Sequence, residues 1–154
     1  MNNCIICNKH IKDNSYNAYE NEYIVVSHGP LTSKVKGYFY IEFKRHIESW
    51  MQLTERELKE YVNMLRSLEE FLTHQIQAER IYTVTISEAV RHLHIHIIPR
   101  VKDSQLRGVD LIKQATQQLD LIAANITDKE VIDLVEYFKS YIKQKQNKLW
   151  GEHK

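Results

Sequence analysis

Residues 92–100 read His-Leu-His-Ile-His-Ile-Ile-Pro-Arg, and no other stretch constrains the chain as tightly. Alternation with period two is the strand signature, and it sends successive side chains to opposite faces. Leu93, Ile95 and Ile97 then point into a core, while His92, His94 and His96 line the other face. Same-face neighbours on a strand are roughly 6.5–7 Å apart, so the three imidazoles form one ledge. Imidazole is a nucleophile, a general acid or base near neutral pH, and a metal ligand. A His-alternating run can also be a metal-binding tract with no catalysis. Pro99 is expected to end the pairing of this strand.

At 154 residues the chain is long enough for one domain with its own core, and its 43% hydrophobic content argues against disorder. A net charge of +1 gives no electrostatic case for duplex nucleic acid or for an acidic membrane. No window approaches ~18 consecutive apolar residues, so no membrane span is expected. The opening Met-Asn-Asn-Cys lacks a signal-peptide apolar run. The expected location is the reducing cytoplasm, where two cysteines are better suited to a metal than to a disulfide.

The pattern reads as α+β. Tyr23–Ser27 and Tyr38–Phe43 are strand-like, separated by a Gly29-Pro30 break and a polar loop over 31–36. Thr54-x-x-Glu57 is a capping box. Leu58, Tyr61, Val62, Leu65, Leu68 and Leu72 follow at helical spacing, predicting a helix to about Gln77. Ile81–Ser87 is a third strand, and its short link to the His strand predicts an antiparallel hairpin. A helix is expected over 105–124, with Leu111, Ala115, Leu119 and Ile122 on or near one side. A second capping box at Thr127-x-x-Glu130 starts another, carrying Val131, Leu134, Val135, Phe138 and Ile142. These two are expected to pair as a helical hairpin through Asn125 and to cap the domain. The Lys- and Gln-rich stretch 139–148 reads as a solvated helix end.

Cys4-Ile5-Ile6-Cys7 is a metal knuckle, a redox pair or a coincidence. A thioredoxin-like pair needs a preceding strand, and nothing before Cys4 can form one. A knuckle needs two further ligands, and His10, His28, His46, His74, His92 and His153 are candidates. A Cys₂His₂ set suits tetrahedral zinc.

Three segments together resemble the histidine-triad (HIT) family: Cys4-x-x-Cys7, the strand end Ile41-Glu42-Phe43-Lys44-Arg45-His46-Ile47, and the unbroken His-φ-His-φ-His-φ-φ motif of His92–Ile98, with φ apolar. The resemblance covers about residues 4–100. It implies a HIT-like antiparallel sheet with the long helix packed on it over 1–102, while the helical spacing further on predicts a C-terminal helical extension over 103–154 packed on the same domain. It implies structural zinc held by Cys4, Cys7, His46 and His92. His10 is the rival ligand. It implies that His94 attacks the α-phosphorus of a nucleotide and forms a covalent nucleotidyl-histidine, with one ring nitrogen held by a backbone carbonyl such as that of His92. His96 then donates to phosphate oxygens. The activity implied is that of a nucleotide hydrolase or nucleotidyl transferase, on nucleoside phosphoramidates or dinucleoside polyphosphates, in a homodimer. Tyr38, Phe39 and Tyr40 offer apolar surface for such an interface.

The chain departs from the family around the substrate. The usual Gly-Gln-Ser or Gly-Gln-Thr before the triad is Ser87-Glu88-Ala89 here, so Glu88 holds the Gln position and Ala89 the hydroxyl position. A negative Glu88 repels a polyphosphate and favours a less charged substrate. Tyr38 replaces a usual substrate-side histidine after Gly37, which makes Glu88 and Tyr38 the expected substrate contacts. No aspartate for ribose hydroxyls is evident, and His28 is the nearest substitute. Arg91 and Arg100 are equally phosphate partners or solvated charges. Two functions stay open: an enzyme acting through His94, or a zinc-stabilised nucleotide-binding or regulatory module with weak turnover. A third, processing of nucleic-acid ends, lacks a basic surface.

Overall fold

The structure is a computed structural model that describes residues 3–151. Five strands form one antiparallel sheet: β1 (Asn17–Glu20), β2 (Ile24–His28), β3 (Phe39–Phe43), β4 (Ala78–Val84) and β5 (His94–Val101), in the order β1-β2-β3-β5-β4. The helices are α1 (Ile5–His10), α2 (Glu55–Gln75), α3 (Gly108–Ala115) and α4 (Asp128–Gly151). Among the described residues no helix is long and apolar enough to cross a membrane.

The alternation in the His strand sorts as its period requires. Leu93, Ile95 and Ile97 are buried with Ile24, Val26, Phe39, Ile41 and Phe43 in the main core. Two helices close that core. The Met64, Leu68, Phe71 and Leu72 side chains of α2 and the Val131, Leu134, Val135, Phe138 and Ile142 side chains of α4 pack onto the sheet. Both capping boxes form: Thr54 Oγ1 accepts from the Glu57 amide at 3.2 Å, and Thr127 Oγ1 accepts from the Glu130 amide at 3.2 Å. The Glu57 carboxylate returns to the Thr54 amide at 2.8 Å. The opposite sheet face carries a smaller cluster of Val35, Tyr38, Ile98, Leu111 and Ala115, so α3 covers the far end of the histidine face.

Several expectations are corrected. The His strand does not stop at Pro99 but continues to Val101, with Pro99 opposite Ile81. The ladder to β3 has already ended at Ile97, so the missing amide falls where β4 is the remaining neighbour. His92 lies just before the strand, in a turn where its amide bonds Val90 O at 2.9 Å. The third strand is shifted, running from Ala78 to Val84 because its register with β5 ends at His96. Leu58 and Val62 are 41% and 48% exposed, because the buried stripe of α2 is centred on Met64, Leu68 and Phe71.

The largest correction concerns 105–124. Only Gly108–Ala115 is helical there. Gln117 turns left-handed (φ 64°), and the Gln118 amide bonds back to Lys113 O at 2.8 Å. The buried Gln114 side chain then pins the following loop, with Oε1 accepting from the Leu121 and Ile122 amides and Nε2 donating to Ser33 O. The helices α3 and α4 lie on opposite sheet faces and form no hairpin.

His28 closes the connection between β2 and β3. Its ring is 3% exposed, Nδ1 lies 2.8 Å from Gly29 O, and Nε2 accepts from the Gly37 amide at 2.9 Å. Accepting at Nε2 requires the neutral ring. Burial therefore dominates and lowers its pKa from 6.5 to about 4. Between those values the unfolded chain binds a proton that the folded chain refuses, so stability falls as pH drops from 6.5 towards 4. The full shift corresponds to about 3 kcal/mol. Urea titrations at pH 7 and pH 4.5 should show this loss in the wild type. His28→Gln should be less stable at pH 7 and show a flatter dependence.

Candidate functional site: a cysteine–histidine cluster beside a histidine ledge

The cluster begins with α1. Cys4 caps the helix, its sulfur accepting from the Cys7 amide at 3.5 Å, which folds the two thiols to one side. His46 follows β3 and is fixed by its neighbours. Arg45 makes a two-pronged bond to Glu57 (Nε–Oε1 2.9 Å, Nη2–Oε2 2.8 Å), and the Ile47 carbonyl accepts from the Leu93 amide at 2.7 Å. The Arg45 guanidinium and the cap bonds hold the Glu57 carboxyl down at about 2.

His92 completes the cluster. Its Nδ1 lies 3.4 Å from Cys4 Sγ and 3.5 Å from Cys7 Sγ, and His46 Nδ1 lies 3.4 Å from Cys7 Sγ. All four donor atoms fall within 4.8 Å of one another. Bonds of about 2.0–2.3 Å to zinc place ligands of a tetrahedron roughly 3.3–3.8 Å apart, which matches the three sulfur–nitrogen contacts of 3.4, 3.4 and 3.5 Å. His92 Nε2 lies 2.7 Å from the buried Phe43 carbonyl, to which it donates. That leaves Nδ1 with its lone pair facing the thiols, the orientation a metal ligand needs. Burial lowers the His92 pKa, which favours the neutral ring. Burial and the adjacent Cys4 raise the Cys7 thiol; a bound cation reverses this. His10 is outside the cluster, its Nε2 being 2.9 Å from Glu42 Oε2. His153 lies outside the described residues.

The ledge starts where the cluster ends. His94 is half-buried, and its Nδ1 lies 2.6 Å from the carbonyl oxygen of His92, to which it donates. The His94 and His96 rings meet edge-on at 4.9 Å. His96 is 8% exposed, and its Nδ1 lies 2.6 Å from Tyr38 Oη. Burial, reinforced by His94, pulls the His96 pKa down to about 4, so this ring is neutral at pH 7. Burial pushes the Tyr38 phenol far above its ordinary value, so the hydroxyl keeps its proton.

Tyr38 has no exposed surface, so the substrate contact expected of it is not available in this structure; it supports His96 from beneath. Gly29 makes room for it, since a Cβ there would stand 2.5 Å from Tyr38 Cδ1. Burial of Tyr38 and Phe39 also removes them from any exposed apolar surface. Glu88 and Arg91 are exposed in the 85–93 loop. In that loop Ser87 is left-handed (φ 52°), and its buried Oγ has no hydrogen-bond partner among the described residues. Arg100 is buried and bonded to Glu79 at 2.9 Å, and His28 has both ring nitrogens engaged by backbone, so neither faces a ligand.

Glu42 was missed by the sequence reading. It is 2% exposed and opposite His94 in the β3–β5 register. Its oxygens meet Lys9 Nζ at 2.8 Å and His10 Nε2 at 2.9 Å. Burial raises its pKa, but these two partners outweigh burial and the net shift is down. A carboxylate inside an otherwise apolar strand was the visible signal.

The HIT-domain family model matches residues 12–103, and the chain belongs to the HIT family. No curated protein matches it. Among solved structures, a Zn-bound histidine triad family protein from Mycobacterium smegmatis is 13% identical, covering 94% of this chain and 96% of its own, with a TM-score of 0.67. A HIT-like protein involved in cell-cycle regulation from Bartonella henselae is 16% identical, with coverage of 92% and 97% and a TM-score of 0.65. A Plasmodium falciparum diadenosine triphosphate hydrolase, in complex with Cyclomarin A, is 17% identical, with coverage of 87% and 80% and a TM-score of 0.58. At these identities the likeness shows the shared fold.

The four candidate metal ligands do not include His94, so variants of the two sets should fail differently. Cys4→Ser, Cys7→Ser and His92→Ala should each lose zinc and lower the melting temperature, whereas His94→Ala should keep about one zinc per chain. Metal analysis and melting curves on the four variants check this. Zinc lost from His94→Ala and retained by His92→Ala would reverse the assignment.

Proposed function

We propose that the protein is a nucleotide hydrolase or nucleotidyl transferase that acts at an α-phosphate through His94. The observation that carries this reading is the 2.6 Å bond from His94 Nδ1 to the His92 carbonyl. Donation at Nδ1 leaves the Nε2 lone pair free, which is the state a nucleophilic imidazole needs. Membership of the HIT family supports the nucleotide class, and a diadenosine triphosphate hydrolase shares the fold.

Nε2 of His94 attacks the α-phosphorus, the bond from phosphorus to the leaving group breaks, and the leaving group departs with that electron pair. Water or another acceptor then attacks phosphorus, the P–N bond breaks, and the electron pair returns to Nε2. The acceptor's proton passes to solvent or to a base. His96 stabilises the phosphate. With the Tyr38 hydroxyl donating to Nδ1, His96 presents Nε2–H to oxygens whose charge grows in the transition state. Substrates are nucleoside phosphoramidates or dinucleoside polyphosphates, with the exposed Glu88 contacting the leaving-group side and disfavouring the more highly charged members. Zinc would be held by Cys4, Cys7, His46 and His92, where it would supply a structural crosslink between α1, the segment after β3 and the turn before β5.

The same reading gives a homodimer in the cytoplasm. The exposed Trp50, Met51, Leu58 and Val62 supply apolar surface beside α2 for the dimer contact. It also takes 1–102 as the catalytic unit and 103–154 as an extension, although α4 contributes five buried side chains to the main core. Ala89, in place of a hydroxyl, favours one further reading: a zinc-stabilised nucleotide-binding or regulatory module with weak turnover.

Incubation with adenosine 5′-phosphoramidate and rapid acid-free quenching should give an adenylyl adduct on His94, located by mass spectrometry. His94→Ala should bind AMP but lose at least about a thousandfold in turnover. An adduct elsewhere, or turnover retained by His94→Ala, would show the mechanism to be wrong. Nucleotide binding with neither adduct nor turnover in the wild type would select the module.

A further inference from the structure

We propose that α1 couples the cysteine–histidine cluster to the histidine ledge, with Lys9 and Glu42 as positioning residues for the ledge. The functional half of this inference rests on His94 acting as described above; the structural half does not.

One six-residue helix carries both ends of the link. Its start holds the thiols, Cys4 as cap and Cys7 one turn in. Its last turn holds Lys9 and His10. So short a helix has little stability of its own and depends on what anchors it. At its end the anchor is Glu42, whose two carboxylate oxygens are engaged by Lys9 and His10, while Lys9 Nζ also donates to the buried Ser27 hydroxyl at 2.9 Å.

These contacts lead to the reacting face by two routes. Glu42 is the register partner of His94 across β3 and β5. Lys9 Nζ lies 5.2 Å from the centroid of the Tyr40 ring, and that ring stands edge-on to both His94 and His96 at 6.4 and 5.3 Å. His10 adds a third contact, edge-on to the His92 ring at 5.9 Å. A buried carboxylate deprived of its cations is strongly unfavourable. Release of α1 from the cluster would leave Glu42 in that condition beside His94 and remove the cation from Tyr40. Conversely, an anchored α1 holds the aromatic floor of the ledge in one arrangement.

The test uses the full chain and reads Tyr40 and His96 ring resonances by NMR, zinc content, and turnover of adenosine 5′-phosphoramidate. The samples are zinc-loaded wild type, chelated wild type, and zinc-loaded Lys9→Met and Lys9→Arg. Lys9→Met should keep its zinc, shift the Tyr40 and His96 resonances in the same direction as chelation does, and lower kcat about tenfold by misplacing the ledge. Lys9→Arg should restore both. The inference is overturned if Lys9→Met leaves those resonances unmoved, or if chelated, folded wild type retains the zinc-loaded spectrum. Should chelation unfold the protein, zinc-loaded Glu42→Gln takes its place: shifted Tyr40 and His96 resonances are expected, and unshifted ones overturn the inference. A wild type without turnover would end the nucleotidyl-transfer reading while the resonances still decide the coupling.

Discussion

His92 is bonded at every polar atom that can orient it, and the rest of the site follows from that. Its Nε2 is fixed on the Phe43 carbonyl, its Nδ1 faces two thiols, and its own carbonyl holds the His94 ring. One residue thus joins the end of β3, the N-terminal knuckle and the ledge. It precedes β5 and is not one of its ladder residues, which leaves its carbonyl free to accept from the next histidine. A side chain held at both ring nitrogens loses little further freedom on meeting a ligand, which is the condition for a precise site.

The ledge shows how burial separates chemically identical groups. His96 is closed off by Tyr38 and held neutral, whereas His94 is partly open to solvent with one nitrogen unengaged among the described residues. The sheet supplies this difference through its alternation: Tyr40 and Glu42 on β3, with Tyr38 just before it, share the face of the ledge, while Phe39, Ile41 and Phe43 build the core behind it. Charge is balanced locally on this face, where Lys9 meets a carboxylate that the strand has buried and His10 bonds its other oxygen.

Strong periodicity was legible in the sequence. The alternation of 94–98, the two capping boxes and the apolar stripe of α4 all read correctly, because each is a local pattern with one cheap solution. The class, α+β with an antiparallel sheet, followed from them. The α2 stripe was legible except at one edge: Leu68 and Leu72 are buried and Tyr61 and Leu65 pack against the core, but Met64 and Phe71 take the buried side in place of Leu58 and Val62, and only packing against the sheet decides that. The 105–124 stretch failed for a different reason. Its helical spacing is genuine, but Gln114 offers the 121–122 backbone a better set of bonds than continued helix would. At the site, Glu42, Lys9 and Tyr38 took roles that depend on contacts across 33 and 58 residues of chain, which no local pattern encodes.

The fold holds His94 in one tautomer, with the proton on Nδ1 and a lone pair on Nε2. Nitrogen-15 NMR of the histidine rings at pH 7 reads this directly. A protonated, hydrogen-bonded Nδ1 and an unprotonated Nε2 are expected at His94. A His94 ring protonated at Nε2 and bare at Nδ1 would contradict this assignment, because the nitrogen facing the site would then have no electron pair with which to attack.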